Sequence, residues 1–143
     1  MKEVVGNLWD YLGRVPVCIT TGGMVTPRGD CAMPRGCARQ ARDRFPELSG
    51  QLGRLIREKG NHVHDLDNGL VSFPVENSPF DVPGLGLIER SCAELLALVE
   101  ERGWPQVLVP RPGCGGGGLQ WHEVRPILQK YFDDRFLVIR AKE

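Results

Sequence analysis

Apolar positions change their spacing several times along this 143-residue chain, and each change marks a predicted element. Lys2-Glu3-Val4-Val5 reads as a short strand cut by Gly6-Asn7, and Leu8 to Tyr11 as one helical turn. Val15 to Thr20 is apolar on both faces and so predicts a central strand, with Pro16 near its start where a missing donor is tolerated. From Thr21 to Cys31 no period is present, and so long an irregular loop in a compact chain reads as functional. A helix is predicted from near Pro34, with Ala38, Ala41 and Phe45 on one face and Pro46 as its stop. A second runs from Glu47 to Lys59 with Leu48, Leu52, Leu55 and Ile56 at helical spacing and Gly60 behind it. His62 to Leu66 alternates, Asp67-Asn68-Gly69 supplies turn residues and Leu70 to Phe73 follows. That is a hairpin pattern, with Asn68-Gly69 suited to a type I′ turn.

Beyond the Pro- and Gly-containing connection Pro74 to Gly86, a third helix presents Ile88, Cys92, Leu95, Leu96 and Val99 and stops at Gly103. Val107 to Pro110 reads as a short buried strand and Phe136 to Ile139 as the last one. Between them a fourth helix spans Gln120 to Phe132 with Val124, Ile127, Leu128 and Tyr131 inward, and Pro126 is expected to bend it. Strands alternating with helices predict an α/β sandwich, and the hairpin makes its sheet mixed. A chain of this length is expected to form one domain.

Charge changes little in that reading. Eighteen Lys and Arg balance eighteen Asp and Glu, so the long-range field that gathers a protein on nucleic acid or acidic membrane is missing. Arg35, Arg39, Arg42 and Arg44 then read as a solvated helix face. Five cysteines, odd in number and without a CxxC pair, predict reduced thiols. With neither a signal peptide nor an apolar run near 18 residues, the expectation is a soluble, cytoplasmic monomer that does not engage membranes.

The densest chemical signal lies between the Val107 strand and the fourth helix. Gly113-Cys114-Gly115-Gly116-Gly117-Gly118 places five glycines in six residues. Such a loop lacks the Cβ atoms that would hold a ligand away, so consecutive N–H groups can converge on an anion beside a helix end. Gly113-x-Gly115-x-x-Gly118 also matches the dinucleotide fingerprint, yet only about 25 residues follow it, too few for the further strands of a Rossmann unit. GxxxxGK[ST] is absent, which argues against a P-loop nucleotide hydrolase. His62-x-His64 with Asp65 and Asp67 invites a metal reading, but the acid and third imidazole of an HxHxDH site are missing, so no metal is expected.

Several segments together carry a family resemblance. Arg111-Pro112-Gly113-Cys114-Gly115 with Gly118-Leu119-Gln120-Trp121 resembles the PRxGCGxxGLxW signature of macro domains. Within these it resembles the compact branch holding terminal ADP-ribose glycohydrolases, ADP-ribose-1″-phosphate phosphatases and many phage proteins. Val5 to Leu8 resembles the family's GDLF, Thr20 to Gly23 its TTNG, Asp30 to Ala38 its xxxxMGxGxA, and Ser72-Phe73-Pro74 its FPTK. The resemblance implies a three-layer α/β/α domain that takes ADP-ribose as ligand or substrate, needs no cofactor, and meets free nucleotide or ADP-ribosylated protein or nucleic acid.

Carried onto matching positions, the resemblance puts Asn7 at the adenine edge with the Leu8 amide beside it, and Thr20, Thr21 and Gly22 at the strand end. Ala32, Met33, Arg35, Gly36 and Cys37 line the distal ribose, and Phe73 adds apolar contact. Pro112, Gly113, Cys114, Gly115, Gly116, Gly117, Gly118 and Leu119 wrap the diphosphate. The lysine and loop aspartate of the glycohydrolases are replaced here by Glu76 and Gly117, so a lysine Schiff base is unsupported. Any hydrolysis would run through an activated water with Glu76 or His122 as base, and Glu76 is expected to have a raised pKa through the like charge of a diphosphate. The alternative is a non-catalytic module or inhibitor that recognises an ADP-ribose-like nucleotide signal.

Overall fold

The computed structural model describes residues 1–142. Six strands, β1 (Lys2–Val5), β2 (Val17–Gly22), β3 (His64–Asp65), β4 (Leu70–Glu76), β5 (Val107–Pro110) and β6 (Phe136–Arg140), form one sheet in the order β1-β6-β5-β2-β4-β3. Every neighbouring pair is parallel except β3 with β4. Strand residues alternate between two cores, as the period of two requires. Cys18, Val71, Phe73, Val107, Val109, Phe136 and Val138 pack on one face beneath α3 (Leu85–Arg102) and α4 (Trp121–Gln129). Val17, Ile19, Leu70, Leu108, Leu137 and Ile139 pack on the other beneath α1 (Gly36–Arg44) and α2 (Leu48–Lys59). The result is an α/β/α sandwich around a mixed sheet.

Chain direction places the cleft. From β5 the chain crosses through α4 to β6 on one side, and from β2 it crosses through α1 and α2 toward β4 on the other. The C-terminal ends of β5 and β2 therefore flank the point where the winding reverses, which is where open α/β sheets leave a crevice.

Four local expectations need correction. β2 begins at Val17, because Pro16 lies outside the strand and uses its carbonyl to accept Leu108 N–H at 2.9 Å. Helix α1 begins at Gly36, since Arg35 is extended (φ −155°, ψ 169°) and Gly36 has φ 63°, which leaves Pro34 in the loop ahead of the helix. The hairpin turn is not type I′ at Asn68-Gly69: positive φ falls at Asp67 (61°) and Gly69 (87°), inside a wider loop closed by Leu66 N–H to Leu70 O at 3.0 Å. Helix α4 continues through Pro126 but ends at Gln129, ahead of Phe132.

No helix among the described residues is long and apolar enough to cross a membrane. All five cysteines are free thiols, with Cys18, Cys31 and Cys92 buried. Burial raises the Cys31 thiol to about 11 and the Cys92 thiol to about 12, so neither supplies thiolate at neutral pH.

Candidate functional site

A cleft of about 1100 Å³ opens at the C-terminal ends of β2, β4, β5 and β6. One wall is the segment Val5 to Leu8, where Asn7 caps the 3-10 turn Leu8–Tyr11 by accepting Trp9 N–H on its Oδ1 at 3.0 Å. That oxygen keeps a second lone pair, so capping leaves it able to accept again. The floor is Thr20, Thr21 and Gly22 at the end of β2. Ala32, Pro34, Arg35, Gly36 and Cys37 form the side facing α1, and the loop from Gly113 to Gly117 with Leu119 completes the enclosure.

Two sets of backbone donors belong to residues that line the cleft. In the glycine loop, Cys114 N–H is spent on Arg111 O, Gly118 N–H on Gly115 O and Leu119 N–H on Gly113 O. The N–H groups of Gly115, Gly116 and Gly117 donate to no acceptor among the described residues. Across the cleft, α1 starts without a side-chain cap, so the first-turn donors of Gly36, Cys37 and Ala38 have no intrahelical partner and lie at the cleft wall. Two separate sets of unspent N–H groups on residues that line one space are an arrangement suited to an anion. At the N-terminus of α4, expected to serve this role, one donor is already spent: Glu123 Oε2 accepts Gln120 N–H at 3.1 Å.

The loop's glycines are there for different reasons. Gly113 has φ 73°, a left-handed backbone that favours glycine, and a Cβ on Gly117 would sit 2.6 Å from Pro83 Cγ and 2.7 Å from Gly113 O, so both are requirements of the fold. A Cβ on Gly115 would meet nothing within 4 Å, and one on Gly116 only the Arg35 side chain, from 3.6 Å. Neither has a left-handed φ. The fold therefore does not demand glycine at 115 or 116.

At the far end, Glu76 closes β4 and turns its carboxylate toward Arg35, with Oε2 at 3.4 Å from Nη2. Its carboxyl pKa is raised, first by burial, against the lowering effect of Arg35 and with a small addition from Asp81. The direction agrees with the sequence expectation, but the cause is desolvation in the ligand-free chain rather than a diphosphate's charge. Cys37 Sγ lies 3.4 Å from Thr20 N and 3.3 Å from Thr20 Oγ1, fixing the start of α1 against β2.

Not every expected residue reaches the cleft. Phe73 is fully buried in the core beneath α3, and Met33 is buried in the opposite core, so neither is a contact surface for a ligand. Pro112 is buried beneath the loop, and Gly118 and the exposed His122 are outside the lining. Depth along the strand explains Phe73: on β4 the cleft starts only beyond it, at Val75 and Glu76.

Sequence reasoning missed Arg111 and Trp121, both in the lining. Arg111 lies over the Trp121 ring at 4.3 Å from its centroid and bridges to Glu3 at 3.5 Å, while its buried Nε has no partner among the described residues. Arg125 at 2.9 Å and Trp121 Nε1 at 3.1 Å also engage Glu3, and Arg125 does most to hold that carboxyl below its usual range. The rule that ligands sit beyond strand C-termini would have found Arg111, the first residue after β5.

His62 and His64 do not share a site. His62 Nδ1 is 2.8 Å from Glu94 Oε2, whereas His64 Nε2 meets Gly60 O at 3.0 Å. No group of three or more His, Cys, Asp or Glu able to hold a metal occurs among the described residues. Treatment with a chelator followed by buffer exchange is expected to leave ligand affinity and melting temperature unchanged, and stoichiometric zinc in the purified protein would contradict this.

The architecture as a whole superposes on solved structures. The macrodomain of Mycobacterium tuberculosis DarG matches with a TM-score of 0.78 at 20% identity, covering 99% of this chain and 97% of that one. The chain has the macrodomain fold. The Thermus aquaticus DarG macrodomain gives a TM-score of 0.76 at 21% identity over 99% of this chain and 97% of that one. Thermosipho africanus DarTG in complex with ADP-ribose gives 0.78 at 18% identity, over 99% of this chain but 42% of that one. No family model and no curated protein matches the sequence. At these identities the likeness establishes the macrodomain architecture, and the cleft's own residues must carry any further argument.

Proposed function

We propose that the cleft binds ADP-ribose or an ADP-ribose derivative, with the diphosphate held between the glycine loop and the start of α1. The observation that carries this is the pairing of unspent N–H groups at Gly115, Gly116 and Gly117 with those of Gly36, Cys37 and Ala38 across one space. A diphosphate has two charged groups to satisfy, and a chain of net charge zero supplies backbone donors rather than many cations. Asn7 and the Leu8 amide suit the adenine edge, and Ala32 to Cys37 the distal ribose. The macrodomain fold, and the ADP-ribose complex of the similar Thermosipho africanus protein, support the same ligand. Titration calorimetry with ADP-ribose tests it: saturable binding at one site is expected, and heat of dilution alone would refute it.

One observation favours adding hydrolysis to binding. Glu76 lines the cleft and burial raises its pKa toward the range where a carboxylate accepts a proton from water. Lysine chemistry is unavailable at this place, so water, deprotonated by Glu76, is the nucleophile toward an ADP-ribose linkage to phosphate, protein or nucleic acid. His122, exposed and outside the lining, is not proposed as base. Glu76→Gln is expected to keep ADP-ribose affinity within roughly tenfold, about 1.4 kcal/mol, while removing most turnover measured by product analysis. Full turnover in the variant would exclude Glu76, and binding without product in the parent would leave a recognition module.

A further inference from the structure

Three loops of the cleft meet on one side chain. Arg35 stands in extended backbone just ahead of α1 and reaches across to the segment after β4, where Nη1 lies 3.3 Å and Nη2 3.4 Å from Pro79 O, with Nη2 also 3.4 Å from Glu76 Oε2. Its stem lies against the glycine loop, close enough that a Cβ on Gly116 would be 3.6 Å from Cδ. A planar fork can hold a carboxylate and a carbonyl at once, which the point charge of an ammonium does less well.

Glu76 has little freedom apart from this contact. Its side chain packs over Gly22, where a Cβ would come within 3.3 Å of Cγ and 3.5 Å of Oε1. Its backbone carbonyl accepts Asn61 Nδ2 at 3.1 Å, and the same amide donates to Asn77 Oδ1 at 3.1 Å. Held at the backbone and from below, the carboxylate has one mobile neighbour, Arg35.

The contact is built to open. Distances of 3.3 to 3.4 Å are long for charge-assisted hydrogen bonds, and the Arg35 side chain is 47% exposed against 12% for Glu76. The stretch it grips is largely exposed ahead of the buried Pro83: Phe80 is 87% and Val82 75% exposed. Few buried apolar contacts mean that this segment can move at small cost.

We infer that Arg35 is the positioning residue of the cleft: it clasps Glu76 and Pro79 across the distal end in the free protein, and it passes from Glu76 to the ligand when that end fills. This rests on the ADP-ribose reading for the ligand, though the clasp itself does not. Handing over the guanidinium leaves Glu76 with burial and Asp81, both of which raise its pKa, so ligand entry makes the carboxylate a stronger base. Arg35 and Asp81 are the charged groups that face this carboxyl.

The test has two arms. In the free protein, carboxyl-carbon NMR titration should place the Glu76 midpoint higher in Arg35→Ala than in the parent, with Arg35→Lys between them. By stopped-flow, ADP-ribose should associate about two- to fivefold faster with Arg35→Ala and also dissociate faster, and the faster association should not appear when Arg35→Ala is made in the Glu76→Gln background. An unmoved Glu76 midpoint overturns the clasp. An equal effect of Arg35→Ala on association in both backgrounds overturns its action through Glu76. Should the parent bind no ADP-ribose, the hand-over falls with the functional reading, and the midpoint still decides the clasp.

Discussion

Gly115→Val is expected to weaken ADP-ribose binding at least about 100-fold, about 2.7 kcal/mol, in a protein that still folds. The two halves of that statement come from different features. A Cβ at 115 meets no protein atom within 4 Å and the position requires no left-handed backbone, so the variant has no clash to relieve there. Replacing glycine also restricts the unfolded chain, which acts in the stabilising direction. The melting temperature should therefore stay within about 2 °C of the parent. Yet the same branched side chain stands in the cleft wall beside the unspent N–H groups of Gly115, Gly116 and Gly117, where it would keep a phosphate out of hydrogen-bonding distance. Gly117→Val is the contrasting control: its Cβ collides with Pro83 and with Gly113 O, so stability and binding should fall together. Normal melting with unchanged affinity in Gly115→Val would remove the diphosphate from this loop.

Phe73→Ala should cost about 3–5 kcal/mol of stability, a large share of the roughly 5–15 kcal/mol that holds a domain together. Phe73 is fully buried in the core beneath α3, where Val71, Ile88, Cys92 and Leu95 belong to the same cluster. Deleting the ring loses its transfer energy and leaves a cavity that a parallel sheet, fixed by its ladders, cannot close. Urea unfolding should show a lower midpoint with an unchanged slope, and the folded fraction should bind ADP-ribose with parental affinity. A stable variant with weakened affinity would instead return Phe73 to the ligand surface.

That pair of variants also marks where sequence reasoning reached its limit. The order of elements was legible because each has its own period: two in the strands, near 3.6 in the helices, with glycine or proline between them. The glycine loop was legible because its composition is extreme. Phe73 was misplaced because period two says which face a residue takes but not how far along its strand the core ends and the cleft begins. The start of α1 was misplaced because Pro34 is a good first-turn residue locally, while the extended Arg35 and the left-handed Gly36 reflect the crossing from β2 and the reach toward Glu76. Arg111 and Trp121 were read only as the ends of the glycine-loop signature and given no role: that they line the cleft follows from the parallel pairing of β5 with β6 and the placement of α4. Glu76 was found, but the burial that raises its pKa is a tertiary property and is not written in its neighbours.

The central claim is that a diphosphate sits between the glycine loop and the start of α1, and amide NMR during an ADP-ribose titration tests it most directly. The N–H signals of Gly115, Gly116, Gly117, Gly36 and Cys37 should move together along one saturation curve, with further shifts at Asn7 and Leu8 and little change at Lys2, Gln106 and Arg135 on the opposite end of the sheet. Saturable binding that leaves the Gly115 to Gly117 amides unmoved would contradict the account.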